Sequence, residues 1–137
     1  LLFRLSSIVA SILHDDYDVE IVEAHHRYKK DAPSGTAARL AEIIAQARNV
    51  SLEQKGVYGR KGLSTERERG TIGIHAVRGG DVVGEHTVSF LTDGERMELV
   101  HRASSRDAFA KGALAGARFL IHKARGIYSM QDVLGLS

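Results

Sequence analysis

The chain has 137 residues, 43% of them hydrophobic, and its 19 basic side chains nearly balance 17 acidic ones for a net charge of +2. That length and apolar content suit one compact unit with its own core and exclude a disordered segment. The charge balance argues against a dedicated nucleic-acid surface, no apolar run approaches membrane-spanning length, and zero cysteines exclude disulfides and thiolate metal sites.

A cysteine-free chain fits a reducing compartment, so a cytoplasmic location is expected. The sequence opens on Leu1 and shows no signal-peptide pattern, as a piece of a longer protein would. Leu1, Leu5, Ile8, Val9 and Ile12 recur at helical spacing, which predicts a packing helix over 1–13. His14 to Asp16 make a polar break. Asp18 to Ala24 alternates and is rich in β-branched residues, which predicts a strand. Side chains alternate faces along a strand, so His25 and His26 should diverge at its exit.

Two histidines, an arginine and two lysines crowd into His25 to Lys30. Pro33 is compatible with a helix start just beyond, and Ser34 can cap that helix or donate to a bound anion. Gly35 lets a ligand approach the backbone. A helix N-terminus with free N–H groups beside Arg27, Lys29 and Lys30 makes an anion site that suits a carboxylate. A solvated basic surface followed by an ordinary cap is the plainer reading, and the residues alone leave both open. Two adjacent histidines with no thiolate and no well-spaced third ligand do not make a metal site, and none is expected.

Thr36 to Arg48 carries Ala37, Leu40, Ala41, Ile44 and Ala47 on one stripe, predicting a helix lying close on a sheet. Ser51 to Gly70 is polar and glycine-containing and reads as a surface loop, with Val57 and Tyr58 as anchors. Strands are predicted over 71–78, 83–92 and 95–101, the last two joined by a hairpin at Asp93-Gly94. A final long helix begins near Ser104 or Ser105 with a stripe of Phe109, Ala113, Gly116, Ala117 and Leu120, whose small residues predict contact with the sheet. Gly126 is its natural stop, and a capped turn follows from Ser129.

This order predicts an α+β fold: a mixed sheet of about four strands, helices on one face, and the other face used for oligomerisation. His75, His86 and His101 read as structural residues. Arg78 and Arg106 are expected in ion pairs with Glu85, Glu98 or a partner subunit.

The string Glu20 to Ala37, EIVEAHHRYKKDAPSGTA, resembles the signature of the 4-hydroxy-tetrahydrodipicolinate (dihydrodipicolinate) reductase family. The resemblance continues through Gly70 to Gly73, Val77 to His86, His101 to Arg106 and Asp132 to Leu134. No G-x-G-x-x-G follows a strand, so residues 1–137 resemble the family's carboxy-terminal substrate-binding and tetramerisation domain without its nucleotide-binding half. The resemblance implies reduction of the cyclic product of dihydrodipicolinate synthase to tetrahydrodipicolinate, on the diaminopimelate route to lysine. It implies NADPH or NADH as cofactor, a small dicarboxylate substrate and a homotetramer joined through its sheets. It further implies Lys29 as proton donor, His25 as a second acid/base residue, and His26, Gly35 and Thr36 as substrate-binding residues. Crowding by Arg27, Lys30 and the histidines should ease Lys29 deprotonation. Two other readings remain: a non-catalytic oligomerisation or anion-binding module that keeps the motif, and a basic nucleic-acid-binding domain. Titration with a planar pyridine dicarboxylate discriminates among them.

Overall fold

A computed structural model describes residues 1–63 and 65–136. The expected α+β architecture is present, with five strands rather than about four. Helix α1 spans Leu2–Leu13, a short 3-10 turn fills His14–Asp16, and strand β1 runs Asp18–His25. Helix α2 (Gly35–Ala47), a one-turn helix α3 (Leu52–Lys55), and strands β2 (Gly56–Tyr58) and β3 (Ile72–Arg78) follow. The chain continues with β4 (Gly84–Thr92), β5 (Glu95–Ala103), helix α4 (Asp107–Leu120) and the short α5 (Met130–Val133).

The strand order is β2-β3-β1-β4-β5. β1 lies at the centre, parallel to β3 and antiparallel to β4, so the sheet is mixed. The parallel pair needs a crossover, and α2 supplies it by returning over one face. The extra strand, β2, lies within the polar stretch 51–70 and is built around Val57 and Tyr58, pairing parallel with β3. The Asp93-Gly94 turn closes the predicted hairpin of β4 and β5, with Gly94 at φ 87°.

Alternation sorts the sheet into two faces. Val19 and Ile21 of β1, Ile72 and Ile74 of β3, and Val88 and Phe90 of β4 all point to the helices and are buried. They meet Ala37, Leu40, Ala41 and Ile44, the stripe expected on α2. Ser34 caps α2 by accepting the Ala37 N–H, so the helix begins after Pro33 rather than at it. Val88 and Phe90 therefore belong to the core, and their alternating neighbours face outward.

The predicted helix α1 is present, but its buried side differs from the expected stripe. Leu2, Phe3, Val9 and Leu13 pack on the core around buried Ser6 and Ala10, while Leu1, Leu5, Ile8 and Ile12 stay exposed. Helix α4 departs further. It buries none of its residues, and Phe109 and Leu120 lie open although the stripe predicted contact with the sheet. Its small residues Gly112 and Gly116 have no sheet backbone against them; a Cβ on Gly116 would meet only Met130 of α5, at 4.0 Å. Ser105 does support its start, accepting the Asp107 N–H at 3.0 Å. The helix stops at Leu120, before Gly126, and Ser129 and Asp132 close a reciprocal cap on α5.

Candidate active site at the exit of the central strand

Glu23 and His25 are two residues apart on β1, so both project to the helix-covered side. Glu23 is fully buried. Its Oε2 accepts from Arg78 Nη1 at 2.8 Å and lies 2.6 Å from His25 Nδ1. Its Oε1 accepts from Arg78 Nη2 at 2.8 Å and from the Ser34 N–H at 2.9 Å. Arg78 reaches this carboxylate because the parallel register sets it opposite His25, and it also donates to the Asp31 carbonyl at 2.7 Å. Burial by itself would raise the Glu23 pKa, but hydrogen bonds from Arg78, His25 and the Ser34 N–H outweigh it and hold the carboxyl below its usual range.

Arg78 thus makes an ion pair, as expected, but with Glu23 rather than Glu85 or Glu98. Those two acids pair with Arg102 and Arg96, each at 3.5 Å. Sequence reasoning passed over Glu23 altogether. The signal was present in the Glu-x-His alternation, which puts the two side chains on one face.

Ser34 ties the start of α2 to β4. Its hydroxyl accepts the Ala37 N–H at 3.2 Å and lies 3.0 Å from His86 Nε2. Among the described residues, the N–H groups of Gly35 and Thr36 have no partner. Gly35 is exposed, and a Cβ there would meet nothing within 4 Å. Two expected substrate-binding residues therefore offer open donors at the positive end of α2. His86 packs edge-on to His25 with ring centroids 5.2 Å apart. Burial, then the neighbouring His25, pushes the His86 pKa down to about 4.

The chain leaving β1 is pinned to the turn between β3 and β4, with Gly79 N–H donating to the His25 carbonyl at 3.0 Å and Arg27 N–H to Gly80 at 3.2 Å. A tight turn follows, closed by Lys29 N–H on the His26 carbonyl at 3.1 Å. Lys29 Nζ donates to Asp31 Oδ1 at 2.8 Å, and this bond holds the Asp31 carboxyl below its usual range. His26 diverges from His25 as alternation requires. It lines a hollow of about 300 Å³ whose other walls are Tyr28, Asp81, Val83 and Arg106. Its Nδ1 is buried with no partner among the described residues. Arg106 lines the same hollow, and among the described residues it pairs with neither Glu85 nor Glu98.

The structure thus brings His25 to the start of α2 through Glu23 and Ser34, and gives His26 a hollow of its own. His75 is structural, as expected, with Nε2 at 2.6 Å from Glu20. No helix among the described residues is long and apolar enough to cross a membrane.

Fold and site together define an α+β domain whose central strand runs into a basic turn and a helix start with open N–H donors. The chain belongs to the dihydrodipicolinate reductase family, whose carboxy-terminal model, "Dihydrodipicolinate reductase, C-terminus", matches residues 1–134. It is 57% identical over 136 residues to the 4-hydroxy-tetrahydrodipicolinate reductase of Hahella chejuensis, covering 99% of this chain and 51% of that protein. Against the same-named protein of Syntrophus aciditrophicus it is 57% identical over 134 residues, 98% of this chain and 50% of that one. Its fold matches a solved structure titled "Dipicolinate bound Dihydrodipicolinate reductase from Paenisporosarcina sp. TG-14", with TM-score 0.68 and 29% identity over 96% of this chain and 50% of that chain. The chain spans about half the length of these relatives.

Proposed function

We propose that this chain is the substrate-binding and proton-donating domain of a reductase converting 4-hydroxy-tetrahydrodipicolinate to tetrahydrodipicolinate in lysine biosynthesis. The observation that carries the reading is the pair of open N–H donors on Gly35 and Thr36, reached from the basic segment His25 to Lys30 through the short stretch Asp31 to Ser34. The substrate is a ring dicarboxylate, and such donors with nearby cations are what a carboxylate needs. His26 holds the ligand from the hollow that it lines. The relative bound to dipicolinate, a planar pyridine dicarboxylate, supports the same ligand class here.

The reaction takes a hydride from NADPH or NADH. The described residues do not build a dinucleotide cradle: the β1-to-α2 passage carries the basic motif in place of a glycine-rich phosphate turn. The nucleotide is held mainly by residues outside this chain. Reduction of the conjugated carbon–nitrogen system leaves an electron-rich enamine that must be protonated, and Lys29 donates that proton as general acid. Its side chain is 20% exposed, open enough to reach a ligand. His25 serves as the second acid/base group. The enzyme is cytoplasmic and a homotetramer, joined through the sheet face away from the helices, where Val22, Val77 and Val100 are exposed.

Calorimetric titration with pyridine-2,6-dicarboxylate tests the binding role. Saturable binding that weakens in Lys29→Ala and His26→Ala is expected. Salt-sensitive DNA binding with no dicarboxylate response overturns the reading.

A further inference from the structure

We propose that Glu23, clamped by Arg78, is the positioning residue of the site: it fixes the proton of His25 on Nδ1 and sets that ring in register with the donors of α2. The proposal rests on the reductase reading above and extends it to two residues outside the basic motif.

A carboxylate offers about four acceptor sites. All four are used at Glu23: two by Arg78, one by His25 Nδ1 and one by the Ser34 N–H. With no donor of its own, the carboxylate must receive a proton from the histidine, so Nδ1 carries hydrogen. Proton exchange at His25 is then confined to Nε2. That nitrogen has no hydrogen-bond partner among the described residues and lies over Gly84, where a Cβ would come within 3.1 Å. Gly84 therefore makes room for the ring. The charged and titratable groups around His25 are Glu23 on its own strand, Arg78 on β3 and His86 on β4.

The other oxygen of the same carboxylate holds the backbone of Ser34, whose hydroxyl caps α2. One fully buried group thus spaces the proton-handling ring from the free N–H groups of Gly35 and Thr36. Arg78 extends the clamp to the intervening loop through the Asp31 carbonyl. A buried ion pair is often no more stabilising than an apolar pair of like volume. Fold stability alone therefore does not explain why a saturated carboxylate sits beneath the site, whereas ring placement does.

The test uses the double variant Glu23→Leu/Arg78→Met, which leaves no lone buried charge, with Glu23→Gln as a second variant. Ring ¹⁵N NMR on this chain reads the His25 tautomer, and kinetics of the full-length reductase read kcat and KM. The wild type should show Nδ1–H, and the double variant should shift toward Nε2–H. In the full-length enzyme kcat should fall at least about tenfold while KM for the dicarboxylate changes less than about threefold, because proton transfer needs tight placement. Glu23→Gln retains an acceptor for Nδ1–H and should lose less kcat than the double variant. An unchanged tautomer in the double variant overturns the positioning role, and so does a lost tautomer with unchanged kcat. A wild-type full-length protein without reductase activity would instead sink the functional reading, leaving the NMR arm to judge the Glu23–His25 contact.

Discussion

Glu20 lies directly over Gly73 on the sheet face away from the helices. The two residues are opposite one another in the parallel register, and a Cβ built on Gly73 would fall 1.8 Å from Glu20 Oε2. The carboxylate needs that space because it anchors the stretch after β2, accepting from Arg60 at 2.8 Å and 3.0 Å and from Arg67 at 2.9 Å. Burial would raise its pKa, yet the hydrogen bonds from Arg60, His75 and Arg67 bring it to about 2. Gly73→Ala should therefore destabilise the chain by ~1–3 kcal/mol in urea unfolding, as overpacking does. Removing Glu20 as well should relieve the clash, so Glu20→Ala/Gly73→Ala should cost less than the sum of the single changes. Strict additivity would contradict the contact.

Much of the fold was legible because it follows from local pattern. The alternation of β1, the apolar stripe of α2 and the Asp93-Gly94 hairpin each report a local preference that the structure keeps. β2 was not legible, because a three-residue strand has no period to read and its partner, β3, lies across a parallel register. Helical spacing in α1 and α4 showed an apolar side without showing what covers it. In the site, the divergence of His25 and His26 was readable from strand geometry. The pairing of Arg78 with Glu23 was not, since 55 residues separate them and only the β1–β3 register joins them. Ser34 was correctly read as a cap, because a serine just before an apolar helical stripe is a local signal.

The two phenylalanines Phe90 and Phe109 test the corrected packing. Phe90 is fully buried between sheet and helices, whereas Phe109 is 56% exposed on α4. Phe90→Ala should cost ~3–5 kcal/mol in this chain. Phe109→Ala should stay within ~0.5 kcal/mol, as an exposed change does. Equal losses in denaturant melts would contradict the placement of α4.

His86 should make stability fall in mild acid. Its pKa is about 4 when folded, against about 6.5 in an unfolded chain. The unfolded state therefore binds the proton first. The contribution is complete above about pH 6.5 and is lost as pH falls toward 4, amounting to something on the order of 2–3 kcal/mol. His86→Gln should flatten the stability curve across that window in melts taken from pH 7 to pH 4. A wild-type profile already flat there would contradict the buried neutral state.

The proposed sheet-to-sheet assembly makes the outer valines sensitive to charge. Light scattering on this chain at micromolar concentration should report an oligomer. Val77→Lys and Val100→Lys, at positions 51% and 45% exposed, should shift it toward monomer without lowering monomer stability. A wild-type monomer would count against assembly through this face.

The most direct measurement is steady-state turnover of Lys29→Ala beside His26→Ala in the full-length enzyme. A proton donor acts in the transition state, so its loss should lower kcat, with a smaller loss of affinity because the lysine also carries charge; a ligand-holding side chain should mainly raise KM. General acid catalysis is worth ~10²–10⁴ in rate, so Lys29→Ala should lose at least about a hundredfold in kcat. His26→Ala should lose mostly affinity, about 1.5–3 kcal/mol for a hydrogen bond to a charged group. Near-normal kcat for Lys29→Ala at saturating substrate would contradict the account, and His25 would be the first residue to test as the acid instead.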